Sequence, residues 1–154
     1  MYDQLHDQCI AVPDNNPAGI ESFQDLGTDK LALLCIGNED VPVGAYSLEI
    51  LDALGIREAL EQSGKVTYGS NVKEVTSQVK EGTVDAGIIY ATDAFSAGLT
   101  VVDQAGTDLC HQVIYPAAVM KNTQNEQAAR DFLAFLQTDE AMTVFQSVGF
   151  APAP

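Results

Sequence analysis

Val84-Asp-Ala-Gly-Ile-Ile-Tyr90, continuing as Ala91-Thr-Asp93, is the stretch on which the fold turns. It is short, almost wholly apolar and bounded by turn signals. That pattern fits a strand covered on both faces, inside a sheet with helices on either side. The strand would carry Tyr90 to its carboxyl end, where open α/β sheets hold their ligands.

Two earlier stretches point to the same edge of the sheet. In Asp40-Val-Pro-Val-Gly-Ala-Tyr46, Pro42 suits the first turn of a helix, where its missing N–H costs nothing. Leu48, Leu51 and Leu54 then recur at helical spacing, and Gly55 stops the run. In Gly69-Ser-Asn-Val72, Ser70 or Asn71 can cap a helix whose Val72, Val75 and Val79 form one stripe before Gly82. A helix start presents unpaired N–H groups and partial positive charge, so it holds anions without a basic side chain. Each feature by itself also fits an ordinary helix start or a core tyrosine. The three together point to anion binding.

The remaining segments complete an alternation of strands and helices. Cys9–Pro13, Lys30–Ile36, Lys65–Tyr68, Leu99–Asp103 and Val113–Met120 read as strands, the last interrupted by Pro116. Ser22 with Asp25 resembles a capping box for a brief helix, and 56–62 and 92–97 read as short helices. Asp93 reads as the cap of the second. Two amphipathic helices follow: Asn125 opens one carrying Phe132, Leu133, Phe135 and Leu136, and Thr138 opens one carrying Met142, Phe145 and Val148. The fold expected is α/β, with a mainly parallel central sheet flanked by helices.

Composition narrows the function. At 154 residues and 46% hydrophobic, the chain can bury a sizeable core, and no run approaches a membrane span. Its net charge of -15, from 22 acids and 7 bases, excludes nucleic acid as a surface partner. An acidic protein still binds a small enclosed anion, because repulsion is screened within about 8 Å while hydrogen bonds act at contact. Cys9, Cys35 and Cys110 show no metal or redox spacing, and an odd count argues against a disulfide framework. The histidines are His6 and His111, and adjacency in Cys110-His111 is not metal-ligand spacing. No nucleophile elbow, zinc-protease motif or phosphate loop occurs, so an enzyme is not expected. Neither a cofactor nor a metal is expected.

Read in order, several phrases resemble the periplasmic molybdate-binding proteins, the substrate-binding components of molybdate/tungstate ABC transporters. They are Asn16-Pro-Ala-Gly-Ile20, Asp40-Val-Pro-Val-Gly44, Asn71-Val72, Ala86-Gly-Ile-Ile-Tyr-Ala-Thr-Asp93, Val113-Ile-Tyr-Pro116 and Val148-Gly-Phe150. The resemblance implies a lobe of a type II periplasmic binding protein. It implies three oxyanion donors: the N–H of Val43, the N–H of Val72 and the hydroxyl of Tyr90. It also implies that the family's first segment, which builds most of lobe one and supplies two serine-type ligands, is absent. On that reading residues 1–13 are the crossover strand from the missing lobe. Residues 14–115 are the second lobe, and 116–154 are the return strand and C-terminal helices that pack on lobe one. An ABC permease is the implied partner of the full-length protein. The implied location is periplasmic or extracellular and membrane-associated, although this chain shows no signal sequence.

The donor set itself discriminates among anions. All three donors are neutral, which suits a fully ionised tetrahedral dianion such as molybdate, tungstate or sulfate. Phosphate keeps a proton near neutral pH and needs an acceptor, so it is disfavoured. The alternative function is a cytoplasmic oxyanion- or effector-sensing domain of the same fold that controls a partner. The apolar faces of the tail helices call for cover, either by folding back or by a homodimer of this chain.

Overall fold

The computed structural model describes residues 2–5 and 7–152, with backbone alone for 2–5 and 151–152. His6 lies outside the described residues. Five strands form the main sheet: β2 (Gln8–Val12), β3 (Leu34–Gly37), β4 (Val66–Gly69), β5 (Ala86–Tyr90) and β6 (Thr100–Gln104), in the order β4-β3-β5-β2-β6. β3 is parallel to both β4 and β5. β2 is antiparallel to both β5 and β6. Four of the five strands therefore point one way, in keeping with the expected mainly parallel sheet, and a reversed β2 is inserted between β5 and β6. β5 is an inner strand, buried along its whole length.

Alternation along these strands divides the core in two. Ile10, Val12, Leu34, Ile36, Ala86 and Ile88 face one side. There they pack against Ile50 and Leu51 of α1 (Pro42–Ala53) and Leu60 of α2 (Arg57–Gln62). A 3-10 turn, Phe23–Gly27, adds Phe23 and Leu26. Cys9, Ala11, Cys35 and Ile89 face the other side. Their partners are Val75 and Val79 of α3 (Val72–Lys80) and Ala91 and Ala94 of α4 (Ala91–Ala97). Both faces are covered, which is why the strands read as continuous apolar runs. All three cysteines are free thiols, and burial pushes Cys9 up to about 12 and Cys35 up to about 11.

A second, three-stranded antiparallel sheet joins β1 (Tyr2–Leu5) to β7 (Ile114–Ala117) and β8 (Ala151–Pro152), in the order β7-β1-β8. The chain thus passes from one sheet to the other between β1 and β2, and returns between β6 and β7. Pro116 sits within β7, an edge strand, where a missing N–H is tolerated. The strand is shorter than the expected 113–120. Beyond it lie α5 (Glu126–Leu136) and α6 (Asp139–Ser147).

Several local expectations change. Ser22 makes no side-chain cap bond; instead the Asp25 carboxylate accepts from the Glu21 N–H at 2.8 Å. Asn125 likewise makes no side-chain cap bond, whereas Thr138 accepts from the Ala141 N–H at 3.3 Å. Tyr90 occupies the N-cap position of α4, so Asp93 falls in its first turn rather than at its cap.

Candidate functional site

α1 begins unusually close to the end of β3. A Cβ at Gly37 would lie 2.7 Å from both the Val41 and Val43 side chains, and one at Gly44 would collide with the Asn38 carbonyl oxygen. Two glycines facing each other therefore let the helix start press against the strand end. The Asn38 N–H reaches across to the Gly69 carbonyl at 2.9 Å, tying the ends of β3 and β4 together. Val43 is buried, and its carbonyl accepts from the buried Ser47 hydroxyl at 2.6 Å. Its N–H is one of the orphan donors of the first helical turn and has no acceptor among the described residues.

α3 starts in a parallel way after β4. The Asn71 side chain caps the helix, accepting from the Glu74 N–H at 3.0 Å. The Glu74 carboxylate reaches back to the N–H and hydroxyl of Ser70 at 2.7 and 2.9 Å. These bonds, led by the Ser70 N–H, hold Glu74 below the ordinary carboxylate range. With the cap satisfied by Asn71, the Val72 N–H has no acceptor among the described residues.

Tyr90 completes the set from the end of β5. It is 9% exposed, and its phenol is pushed up to about 12, chiefly by burial and then by the neighbouring Tyr115, Tyr46 and Asp93. It therefore remains a hydrogen-bond donor throughout the neutral range. Asp93 is itself raised by burial, against an opposing pull from Lys73.

The three sequence-derived residues meet in one cleft of about 460 Å³, lined by Val41, Pro42, Val43, Tyr46, Asn71, Val72, Tyr90, Val113 and Tyr115. Tyr46, Val113 and Tyr115 were not singled out by sequence reasoning. Tyr46 lies one helical turn from Pro42 and so returns to the same face, a signal that spacing carries. Tyr115 reaches the cleft only because β7 crosses behind it, and nothing local in the sequence encodes that. No carboxylate lines the cleft, and no cluster of metal-ligating side chains occurs among the described residues. The arrangement can surround a small anion with neutral donors and aromatic walls.

Residues 5–151 match the family model described as bacterial extracellular solute-binding protein. The chain belongs to that family. It is 39% identical over 144 residues to the proposed ABC transporter substrate-binding lipoprotein YvgL of Bacillus subtilis, covering 92% of this chain and 54% of that protein. It is 30% identical over 143 residues to the molybdate-binding protein ModA of Mycobacterium tuberculosis, covering 92% of this chain and 52% of that one. Among solved structures, the substrate-binding domain of a proposed molybdenum ABC transporter from Clostridium difficile superimposes with a TM-score of 0.88 at 27% identity. That match covers 98% of this chain and 65% of the other. The periplasmic molybdate-binding protein of Azotobacter vinelandii shares the fold, with a TM-score of 0.72 at 14% identity over 99% of this chain and 69% of that one. The chain spans about half the length of the relatives it matches.

Proposed function

We propose that this chain is the anion-holding lobe of a solute-binding protein that captures a molybdate- or tungstate-type dianion for import by an ABC permease. On this reading residues 14–115 form the lobe, and 116–154 supply the return strand and the helices that pack on lobe one. The protein works outside the cytoplasm, at the membrane face. The observation that carries the proposal is the convergence of two orphan helix-start N–H groups, at Val43 and Val72, with the Tyr90 hydroxyl in one cleft free of carboxylates. Three neutral donors complement an anion that carries no proton, while protonated phosphate would leave its own donor unpaired there. A relative named as molybdate-binding and a solved structure named for a molybdenum transporter support the choice within that class.

The test is a titration of the 15N-labelled chain with sodium molybdate, sulfate and phosphate. The Val43 and Val72 amide resonances are expected to move first and furthest with molybdate, less with sulfate and least with phosphate. Shifts confined to another face, or a preference for phosphate, would refute the assignment.

A further inference from the structure

Only two polar residues are fully buried among those described, Ser47 and Gln8. Ser47 is accounted for by its bond to the Val43 carbonyl. Gln8 is not. It is 1% exposed, and neither its Nε2 nor its Oε1 meets a partner in good hydrogen-bond geometry among the described residues. Its backbone is satisfied, since its carbonyl accepts from the Ala105 N–H at 2.8 Å, so the anomaly belongs to the side-chain amide alone. Native folds seldom bury an amide unpaired, and a methionine or leucine would fill this position without that cost.

The place of Gln8 supplies a reason. In the antiparallel pairing of β2 with β5, Gln8 stands directly opposite Tyr90. Directly opposed residues share one face of a sheet and bring their Cβ atoms within about 5 Å of each other. Gln8 has the parity of Ile10 and Val12, and Tyr90 that of Ala86 and Ile88, all on the α1 side. The amide thus belongs beside the phenol on the same face, and Gln8 is not among the residues that line the cleft. Its influence on Tyr90 is to favour the ionised phenol, as an N–H donor pointing at the phenolic oxygen would.

We infer that Gln8 is a positioning residue for the anion site: its Nε2–H donates to the Tyr90 oxygen and thereby directs the hydroxyl proton into the cleft. A tyrosine hydroxyl has one proton and two lone pairs. Once its rear lone pair accepts from Gln8, the single proton is free to point forward, and each bond of the chain from amide to phenol to anion strengthens the next. Arrival of a dianion pulls the hydroxyl forward and completes the relay. This inference rests on the assignment of Tyr90 as an anion donor.

The experiment compares the wild-type chain with Gln8→Met, Tyr90→Phe and the double variant. Sodium molybdate binding is followed by amide shifts, and Tyr90 titration by 13Cζ-tyrosine NMR. Gln8→Met is expected to keep the fold, raise the Tyr90 titration point and weaken molybdate binding roughly threefold to tenfold. It should have no further effect in the Tyr90→Phe background. In the wild type, which guards against a variant that fails to fold, the Gln8 Nε2 protons should shift when molybdate is added. Gln8→Met binding like wild type, while Tyr90→Phe binds less, would overturn the inference and leave the anion site standing. A trapped structural water at the Gln8 amide with no change in Tyr90 titration would overturn it too. Unchanged binding by Tyr90→Phe would overturn the anion site, and this inference with it.

Discussion

Tyr90 combines the end of a buried strand with the wall of a cleft, and that double placement governs its chemistry. Burial removes it from water and pushes its phenol up to about 12, so the donor proton survives well into alkaline solution. Tyr90→Phe deletes the hydroxyl but keeps the ring. If that hydroxyl bonds a dianion, the loss should be about 1.5–3 kcal/mol, or roughly tenfold to a hundredfold in affinity. Molybdate titration should detect this, with the thermal midpoint little changed. Burial also predicts a pH effect on stability. Tyr90, Cys9 and Cys35 all have folded-state values above those of the unfolded chain. The unfolded state therefore releases protons first as pH rises, and the stability held below about pH 9 is lost progressively toward pH 12. Denaturant midpoints measured from pH 8 to 11 should fall steadily, and Cys9→Ala should flatten the early part of that fall. A midpoint that rises with pH would contradict the sign. At this scale the helix starts at Pro42 and Asn71 and the apolar strand ending in Tyr90 have local signatures, whereas the choice of Val43, Val72 and Tyr90 as donors came only with the family resemblance. Gln8 was not legible, because its significance depends on a partner 82 positions away along the chain, set by strand register.

The helix starts are where local sequence most directly builds the cleft. Asn71 holds the first turn of α3 through its bond to the Glu74 N–H, which leaves the Val72 N–H pointing outward. Asn71→Ala should cost about 1 kcal/mol, the usual worth of an N-cap. It should also broaden the Val72 amide resonance, and urea unfolding together with a 15N spectrum would check both effects. Gly44 is more demanding still, since any side chain there meets the backbone at Asn38 and Gly37. Pro42, Asn71 and Thr138 announced their helices correctly because proline geometry and capping are matters of a few neighbouring residues. Ser22 and Asn125 carried the same letters without the cap bond. The reversed direction of β2 was equally hidden, because apolar alternation is indifferent to which way a strand runs. The two faces of the sheet, by contrast, could be read from the continuous runs themselves.

Over the whole molecule, the five-stranded sheet is well buried while the tail is not. α5 has no buried residue, and Phe132 and Phe135 are 59% and 44% exposed and stacked on one another. Phe145 and Phe150 pack edge to face, and Phe150 meets Tyr115 in the same way, so part of the tail does fold back. The remaining apolar surface of α5 is large enough to seek cover. We propose that the isolated chain self-associates through this face. Light scattering at micromolar concentration should report a dimer, and Phe132→Ser with Phe135→Ser should restore a monomer. A clean monomer for the unaltered chain would dispose of the idea. On the proposed lobe assignment this chain supplies one side of the site, so the anion would stay partly hydrated. Molybdate binding by this chain alone should therefore be weak, in the range that amide shifts follow better than calorimetry, and nanomolar affinity would contradict the lobe assignment.

The ring of tyrosines around the cleft has an optical consequence. The chain contains no tryptophan and five tyrosines, so its ultraviolet emission comes from tyrosine without energy transfer to an indole. Tyr46, Tyr90 and Tyr115 all line the one cleft. An occupant drawing on the Tyr90 hydroxyl would change the quantum yield of this cluster. The protein thereby carries its own label-free fluorescence reporter of what enters the site.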